Sequence, residues 1–178
     1  MEKWLNQKVI HQGPIFSVIS GEAVLENGEI VNREVVNHKG SVAIVPVISG
    51  SVIFVRQFRI AAGKEILEIP AGRIDPGEDP YSAAERELQE ETGYKSSRLV
   101  AGPVYYSSVG FLDEQIHLFF AFDLTKLDVV PEGDDDVRLE FFLLTEIEQQ
   151  LNSYKFDDSK TIIGLRELFN HLQNKKND

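Results

Sequence analysis

Three glutamates at helical spacing are the residues of this chain whose types and positions best suit a chemical role. Glu90 and Glu91 follow Glu87 by three and four positions, which places all three on one face of a helix. Like charges at this spacing cost roughly 0.2–0.5 kcal/mol per pair, so the cluster favours a counter-ion. Hard oxygen ligands on one face suit Mg²⁺ or Mn²⁺, which share their coordination with substrate phosphates. The alternative is a solvated helix face on which Arg86 pairs with Glu90.

The helix that would present these glutamates is predicted to run from Tyr81 to Thr92. Pro80 stands at its start, where its missing N–H is not needed, and Gly93 stands where a left-handed residue ends a helix. Leu88 belongs to the adjoining apolar face, which packs inward and keeps the carboxylates in place. The glycine-rich loop before the helix can bring backbone close to a ligand.

Strands are predicted on both sides of this helix. They are Ser17–Leu25 and Ile30–Asn37 around the Asn27-Gly28 turn, Ser41–Ile48, Ser51–Gln57, Val100–Tyr106, Gln115–Asp123 and Val137–Leu144. The stretch from Arg59 to Pro80, with three glycines and three prolines, is expected to be irregular. Two helices close the chain, and Thr145 with Glu148 predicts a capping box at the first of them. Mixed strands with few helices indicate an α/β sandwich.

Composition and charge narrow the functional classes. The 178 residues suit one domain with a sizeable core, and the net charge of −11 argues against binding to nucleic acid or to an anionic membrane. The chain has no cysteine, which excludes disulfides and thiolate metal sites. Because neither a signal-like N-terminus nor a membrane-spanning apolar run is seen, the cytoplasm is the expected compartment.

The segment from Gly72 to Tyr94, GRIDPGEDPYSAAERELQEETGY, resembles the Nudix box of the Nudix hydrolases. In that pattern a glycine is followed after five residues by a glutamate. Seven residues later come Arg-Glu, a hydrophobic residue, any residue, Glu-Glu, any residue, glycine and a hydrophobic residue. Every fixed position is filled, by Gly72, Glu78, Arg86, Glu87, Leu88, Glu90, Glu91, Gly93 and Tyr94. The match outweighs the interpretation as a solvated helix face.

The resemblance implies a fold and roles for the residues of the box. The fold would be an α/β/α sandwich with a mixed sheet at residues 40–178, plus a small N-terminal antiparallel β subdomain at residues 1–39. Arg86 would brace the glutamates through a salt bridge, and Gly72 and Gly93 would shape the flanking loops. The implied metal ligands are Glu87, Glu90, Glu91 and the backbone carbonyl of Ala71.

The segments around the box resemble one branch of the family, the ADP-ribose pyrophosphatases and nucleoside-diphosphate-sugar hydrolases. They are Arg33–Val47, Val55–Arg59 and Leu67–Gly72. The resemblance implies a homodimer that exchanges the N-terminal subdomain, and a binding site for a nucleoside diphosphate sugar. The ring of Phe16 would stack on the base, although a buried core position is an equal alternative. The implied substrate-binding residues are Phe16, Arg33, Arg59, Glu68 and Glu114.

One position departs from the pattern of this branch. Val109 stands where the branch usually carries a proline downstream of the box. The departure argues against strict specificity for ADP-ribose. It favours a broader use of nucleotide sugars, with ADP-ribose and GDP-mannose as the leading substrates.

The predicted reaction is Mg²⁺-dependent attack of water on the pyrophosphate bond, which would convert ADP-ribose to AMP and ribose 5-phosphate. The candidate bases are Glu91, Glu90 and Asp135, the last in an acidic loop at Pro131–Asp136 for which a plain solvated turn is an equal alternative. Two other functions stay open. The protein could be a Nudix hydrolase of dinucleoside polyphosphates, or a non-catalytic module that binds ADP-ribose, although the complete box argues against the second.

Overall fold

A computed structural model gives the fold and describes residues 1–128 and 137–175. Within those residues the strands are β1 (Lys3–Gln12), β2 (Phe16–Val24), β3 (Ile30–His38), β4 (Ser41–Ile48), β5 (Ser51–Arg59), β6 (Lys64–Glu68), β7 (Ala71–Arg73), β8 (Tyr94–Tyr106), β9 (Gln115–Lys126) and β10 (Arg138–Leu143). The helices are α1 (Pro80–Thr92), α2 (Leu144–Asn152) and α3 (Ser159–Asn174). No helix in the described part of the chain is long and apolar enough to cross a membrane.

The first of two compact units comprises Met1–Gly40 and Tyr105–Gln115. Its antiparallel sheet has the strand order β1-β2-β3. The predicted turn joins β2 to β3, and Gly28 has a φ of 86°, which a side chain would disfavour. On β3, the Val36 N–H donates to the Phe111 carbonyl at 2.7 Å, so the Tyr105–Gln115 segment is bonded to the sheet.

Strand β1 is absent from the sequence prediction. All of its residues are exposed, so neither face of the strand is buried. Its sequence therefore lacks the alternation of apolar and polar residues that identifies a half-buried strand. What positions β1 is its pairing with β2. A Cβ at Gly21 would lie 2.1 Å from the Asn6 carbonyl oxygen, so glycine permits the two backbones to approach where the register shifts.

The second unit comprises Ser41–Val104 and Ile116–Asp178 and contains the larger sheet. The strand order is β10-β5-β4-β9-β8, with β6 paired to β5 and β7 paired to β4. Strands β4 and β9 run parallel, whereas β4 is antiparallel to β5 and to β7. The sheet is therefore mixed, and the layered α/β fold predicted from the sequence is confirmed.

The central strands are covered by a helix on each face. Because neighbouring side chains of a strand point to opposite faces, Val42 and Ile44 pack with α1 while Val45 faces α3. Side chains on both faces of these strands are buried, which explains the near-continuous Val and Ile content of β4 and β5. The cluster beneath α1 consists of Val42, Ile44, Ala83, Ala84, Leu88, Phe119 and Ala121.

Two local predictions are wrong. The stretch expected to be irregular contains β6 and β7, which are ordered by pairing with β5 and β4 rather than by their own sequence. The predicted capping box at Thr145 and Glu148 does not form, because α2 begins at Leu144. There the Leu143 N–H donates to the Glu146 carboxylate at 3.0 Å, two residues before the predicted pair.

Pro46 interrupts the central strand β4 without breaking the sheet. Strand β4 pairs with β7 only at residues 41–43 and with β5 only at Val47 and Ile48. The proline falls in the gap between these two pairings. Its missing N–H therefore costs no ladder bond on that side of the strand.

Gly164 is predicted to set how closely α3 approaches the sheet. A Cβ there would lie 2.8 Å from the Ile69 Cδ1 and 3.1 Å from the Val45 Cγ2. We expect Gly164→Leu to lower the free energy of unfolding by about 1–3 kcal/mol through overpacking, measured by urea denaturation. Arg166→Leu on the exposed side of the same helix is the control, and equal losses in both variants would contradict the prediction.

Candidate active site

Helix α1 is fixed at both ends and along its buried face. The Asp79 carboxylate accepts the backbone N–H groups of Tyr81 and Ser82 at 2.9 and 3.2 Å, which caps the first turn. At the other end Gly93 has a φ of 70°, and its N–H donates to the Gln89 carbonyl at 2.9 Å. Since Leu88 is fully buried, its packing sets the orientation of the helix face that carries the glutamates.

The Arg86 guanidinium joins the loop before α1 to the glutamates. Its Nε and Nη2 donate to the Glu78 carboxylate at 3.0 and 2.9 Å, and Nη2 also donates to the Arg73 carbonyl at 2.9 Å. Its Nη1 donates to Glu87 at 2.7 Å and to Glu90 at 3.0 Å. The hydrogen bond with Glu78 and those with the other carboxylates raise the pKa of Arg86 above its ordinary value. The cation therefore reduces the repulsion among three carboxylates.

Glu91 is the most strongly desolvated carboxylate of the described box. The Ala71 N–H donates to its Oε2 at 3.0 Å. Burial raises the pKa of Glu91 to about 7, and the negative charge of Glu87 contributes in the same direction. A carboxyl with this pKa exchanges protons near neutral pH.

The Glu87 carboxylate lies directly against the backbone of Gly72. A Cβ at position 72 would be 1.9 Å from the Glu87 carboxyl carbon, so only glycine leaves room for this contact. Burial raises the pKa of Glu87, although the hydrogen bond from Arg86 opposes the shift. A partly buried carboxylate with a raised pKa gains stability from an added cation.

The donor set fits a divalent cation. Glu87 and Glu91 are oxygen donors with raised pKa values, and each is in contact with the segment at Ala71 and Gly72. Over residues 1–128 and 137–175, no three acidic or histidine side chains surround a single point, and Arg86 bridges Glu87 and Glu90. A pair of oxygen donors of this kind suits Mg²⁺ or Mn²⁺, because these ions keep several waters in their remaining coordination positions.

A second charged cluster lies at the end of β6. Glu68 is only 2% exposed, and its carboxylate accepts Arg59 Nε at 2.6 Å and Nη2 at 2.8 Å. Lys160 Nζ donates to the same carboxylate and lies 3.0 Å from an oxygen of Asp158. Burial acts to raise the pKa of Glu68, but the hydrogen bond from Arg59 and the charge of Lys160 lower it overall. The carboxylate is therefore kept ionised.

Lys160 is missing from the residues selected by sequence. It belongs to neither the Nudix box nor its flanks, and it lies 92 positions from Glu68. The only local signal is that it follows Asp158, which caps α3 by accepting the Thr161 N–H. That signal predicts the start of a helix and says nothing about a buried carboxylate elsewhere.

The remaining predicted residues lie in the first unit or outside the described residues. Phe16 begins β2 with its ring 5.5 Å from that of His11, and Arg33 on β3 pairs with Glu2 at 2.6 Å. The Glu114 carboxylate is 3.7 Å from His38 Nδ1. The acidic loop at Pro131–Asp136, with the candidate base Asp135, is outside the residues that the structure describes. The second unit thus brings together the residues of the box, and Arg59 with Glu68.

Comparison with known proteins identifies the class. A model of the NUDIX domain matches residues 37–162. An ADP-ribose pyrophosphatase from Bacillus subtilis (strain 168) is 36% identical over 170 residues, which are 94% of this chain and 92% of the relative. A methanol dehydrogenase activator from Bacillus methanolicus is 35% identical with the same coverage of both chains. The crystal structure of an ADP compounds hydrolase superposes with a TM-score of 0.87 at 22% identity, covering 98% of this chain and 95% of that one, which shows the shared fold.

The chain belongs to the Nudix family of pyrophosphate-hydrolysing enzymes. The family match includes the whole Gly72–Tyr94 box and the sequence on both sides of it. Enzymes of this family use divalent metal ions. This agrees with the oxygen-donor set on α1.

The stability of the metal-free protein is expected to depend on the ionisation of Glu91. The pKa of Glu91 is raised from 4.5 in the unfolded chain to about 7 in the folded protein. The protonated carboxyl therefore stabilises the folded state fully below pH 4.5, and this contribution is lost as the pH rises through about 7. Glu91→Gln carries no charge and keeps an acceptor for the Ala71 N–H. In EDTA we expect the variant to exceed the wild type by about 1–3 kcal/mol at pH 8 and to match it near pH 5.

Urea unfolding of both proteins at the two pH values measures this difference. An excess of divalent metal at pH 8 should reverse the order, because a bound ion stabilises the folded wild type by mass action. A difference between the proteins that stays constant with pH in EDTA would contradict the assignment.

Proposed function

We propose that the protein is a Mg²⁺-dependent hydrolase of nucleoside diphosphate sugars, which cuts ADP-ribose to AMP and ribose 5-phosphate. The observation that carries the proposal is the pair of partly buried carboxylates, Glu87 and Glu91, on a helix whose sequence fills the Nudix box. Mn²⁺ suits the same oxygen donors. Relatives named ADP-ribose pyrophosphatase, from Bacillus subtilis and from Mycobacterium tuberculosis at 35% identity, support this substrate class.

Each group of the second unit has a role in this proposal. When bound, Mg²⁺ would neutralise charge on the diphosphate oxygens and activate the attacking water. Glu87, Glu90, Glu91 and the Ala71 carbonyl would bind the ion. Glu91 and Glu90 are the candidate bases within the described residues, and either would accept the proton of the attacking water. Asp135 is the third candidate, outside the described residues.

Substrate contacts complete the proposal. Arg59 places two of its guanidinium nitrogens on Glu68, and its side chain remains 44% exposed, so the planar group is available to a phosphate. By the resemblance to the nucleotide-sugar branch, Arg33 would bind phosphate, Phe16 would stack on the base and Glu114 would contact the substrate. Val109 is 78% exposed and offers no proline ring at its position, which favours GDP-mannose alongside ADP-ribose.

The proposed assembly is a homodimer formed through the N-terminal subdomain at residues 1–39. Large apolar side chains are exposed on the sheet of the first unit, among them Trp4, Leu5, Val9 and Ile10. Exposed apolar patches are a common mark of protein–protein interaction sites. Sedimentation equilibrium should give about twice 20.1 kDa, and exchange of Val9 and Ile10 for serine should halve that mass. A monomeric wild type at micromolar concentration would contradict the dimer.

The substrate panel tests the function directly. It contains ADP-ribose, GDP-mannose, other nucleotide sugars, a dinucleotide and a dinucleoside polyphosphate, each with Mg²⁺, with phosphatase coupling and with an EDTA control. We expect metal-dependent cleavage of ADP-ribose and GDP-mannose at comparable rates. Cleavage of the dinucleoside polyphosphate alone would show that dinucleoside polyphosphates, and not nucleotide sugars, are the substrates. Binding of ADP-ribose without cleavage would favour a binding module.

Glu87→Gln is expected to lower kcat/KM by roughly 100-fold or more, because it removes a charged metal ligand without changing shape. Glu148→Gln on α2 is the control, since this glutamate is exposed and lies outside the box. Steady-state rates on ADP-ribose, together with thermal unfolding of both variants, separate loss of chemistry from loss of fold. Normal activity of Glu87→Gln would remove Glu87 from the site.

A further inference from the structure

Lys160 occupies an unusual position for a lysine. Its side chain is only 15% exposed, and its Nζ contacts the carboxylates of Glu68 and Asp158. Lysine is rarely buried to this degree unless it is paired. Because neither the box nor its flanks include this residue, the pairing points to a role that the sequence motifs do not assign.

The helix that carries Lys160 is fastened to the segment that carries Glu68. The Ile69 N–H donates to Thr161 Oγ1 at 2.9 Å, and Thr161 Oγ1 donates to the Asp158 carboxylate at 2.6 Å. Gly164, one turn after Lys160, permits close packing against Ile69. These contacts fix the start of α3 against the segment after β6, and so they hold the Lys160 ammonium beside Glu68.

The Glu68 carboxylate is paired with two cationic side chains that differ in solvent exposure. The carboxylate is 2% exposed, so each partner that it loses leaves a buried charge less compensated. Lys160 faces it from the protected side at 15% exposure, whereas Arg59 is 44% exposed. Arg59 uses Nε and Nη2 on Glu68, which orients the plane of its guanidinium.

We propose that Lys160 is a positioning residue that fixes Glu68, and through Glu68 orients Arg59 to bind the substrate diphosphate. The inference rests on the proposed function, in which Arg59 contacts phosphate. With Lys160 present, its ammonium neutralises the Glu68 carboxylate from the buried side. The positive charge of Arg59 then remains available to a ligand. Without Lys160, Arg59 alone must neutralise a buried carboxylate, and its attraction for phosphate falls.

The test is a double-mutant cycle with kinetics on ADP-ribose. Lys160→Met keeps the apolar stem and removes the charge, and we expect KM to rise about tenfold with a smaller change in kcat. Arg59→Ala should raise KM by at least as much. If Lys160 acts through Arg59, the double variant should be no worse than Arg59→Ala alone.

Lys64→Met is the matched control. Lys64 pairs with Asp157 at 2.8 Å beside the start of α3, and both partners are more than half exposed. Lys64→Met removes an exposed lysine salt bridge from the same region without touching Glu68. The KM of this variant should therefore equal that of the wild type. If Lys160→Met does not fold, as judged by thermal unfolding, Lys160→Gln replaces it, because the amide still donates to Glu68.

The outcomes separate this inference from the proposed function. The wild-type rate on ADP-ribose decides the function, and the ratios among variants decide the role of Lys160. If the wild type cleaves nothing, calorimetric titration with ADP is run on the same proteins, and a tenfold loss of affinity in Lys160→Met that vanishes in the Arg59→Ala background supports the inference. An unchanged KM or ADP affinity in Lys160→Met, or losses that add in the double variant, would overturn it.

Discussion

The contact between the Arg86 guanidinium and three carboxylates is the interaction on which the geometry of the box depends. Glu87 and Glu90 are helical neighbours of like charge, and Glu78 lies eight residues before Arg86 in the preceding loop. A planar cation with five N–H donors makes all of these contacts in one fixed orientation, whereas a lysine ammonium has only three donors on a single atom. The same guanidinium also donates to the Arg73 carbonyl, so the loop and the helix share one fixed arrangement.

Desolvation of carboxylates is the cost that accompanies this arrangement. Burial raises the pKa values of Glu87 and Glu91, and the close approach of Glu87 to Gly72 leaves no space for a side chain there. A site of this kind is less stable when empty than a neutral one would be, and a bound divalent ion offsets the difference. Stability and function therefore oppose each other at the same side chains, as they commonly do in active sites.

Much of the architecture was predictable because it depends on short-range patterns. The helix predicted at Tyr81–Thr92 forms at Pro80–Thr92, and the strand at Ser41–Ile48 has the predicted bounds. Strand β1 and the short strands β6 and β7 were missed because each is ordered by its partner strand rather than by its own alternation. Likewise, the capping interaction of α2 uses Glu146 because the end of β10 decides where that helix begins.

By itself, the sequence determined the class of the protein through its match to the Nudix box. It also determined which glutamates share one face of α1, because a spacing of three and four residues fixes a helical face wherever the helix lies. Tertiary structure alone decided the environments of those residues. The burial of Glu91 against Ala71 joins positions 20 residues apart, and the Glu68–Lys160 pair joins positions 92 apart. Desolvation and charge pairing depend on distance in space, and packing of α1 and α3 on the sheet sets those distances.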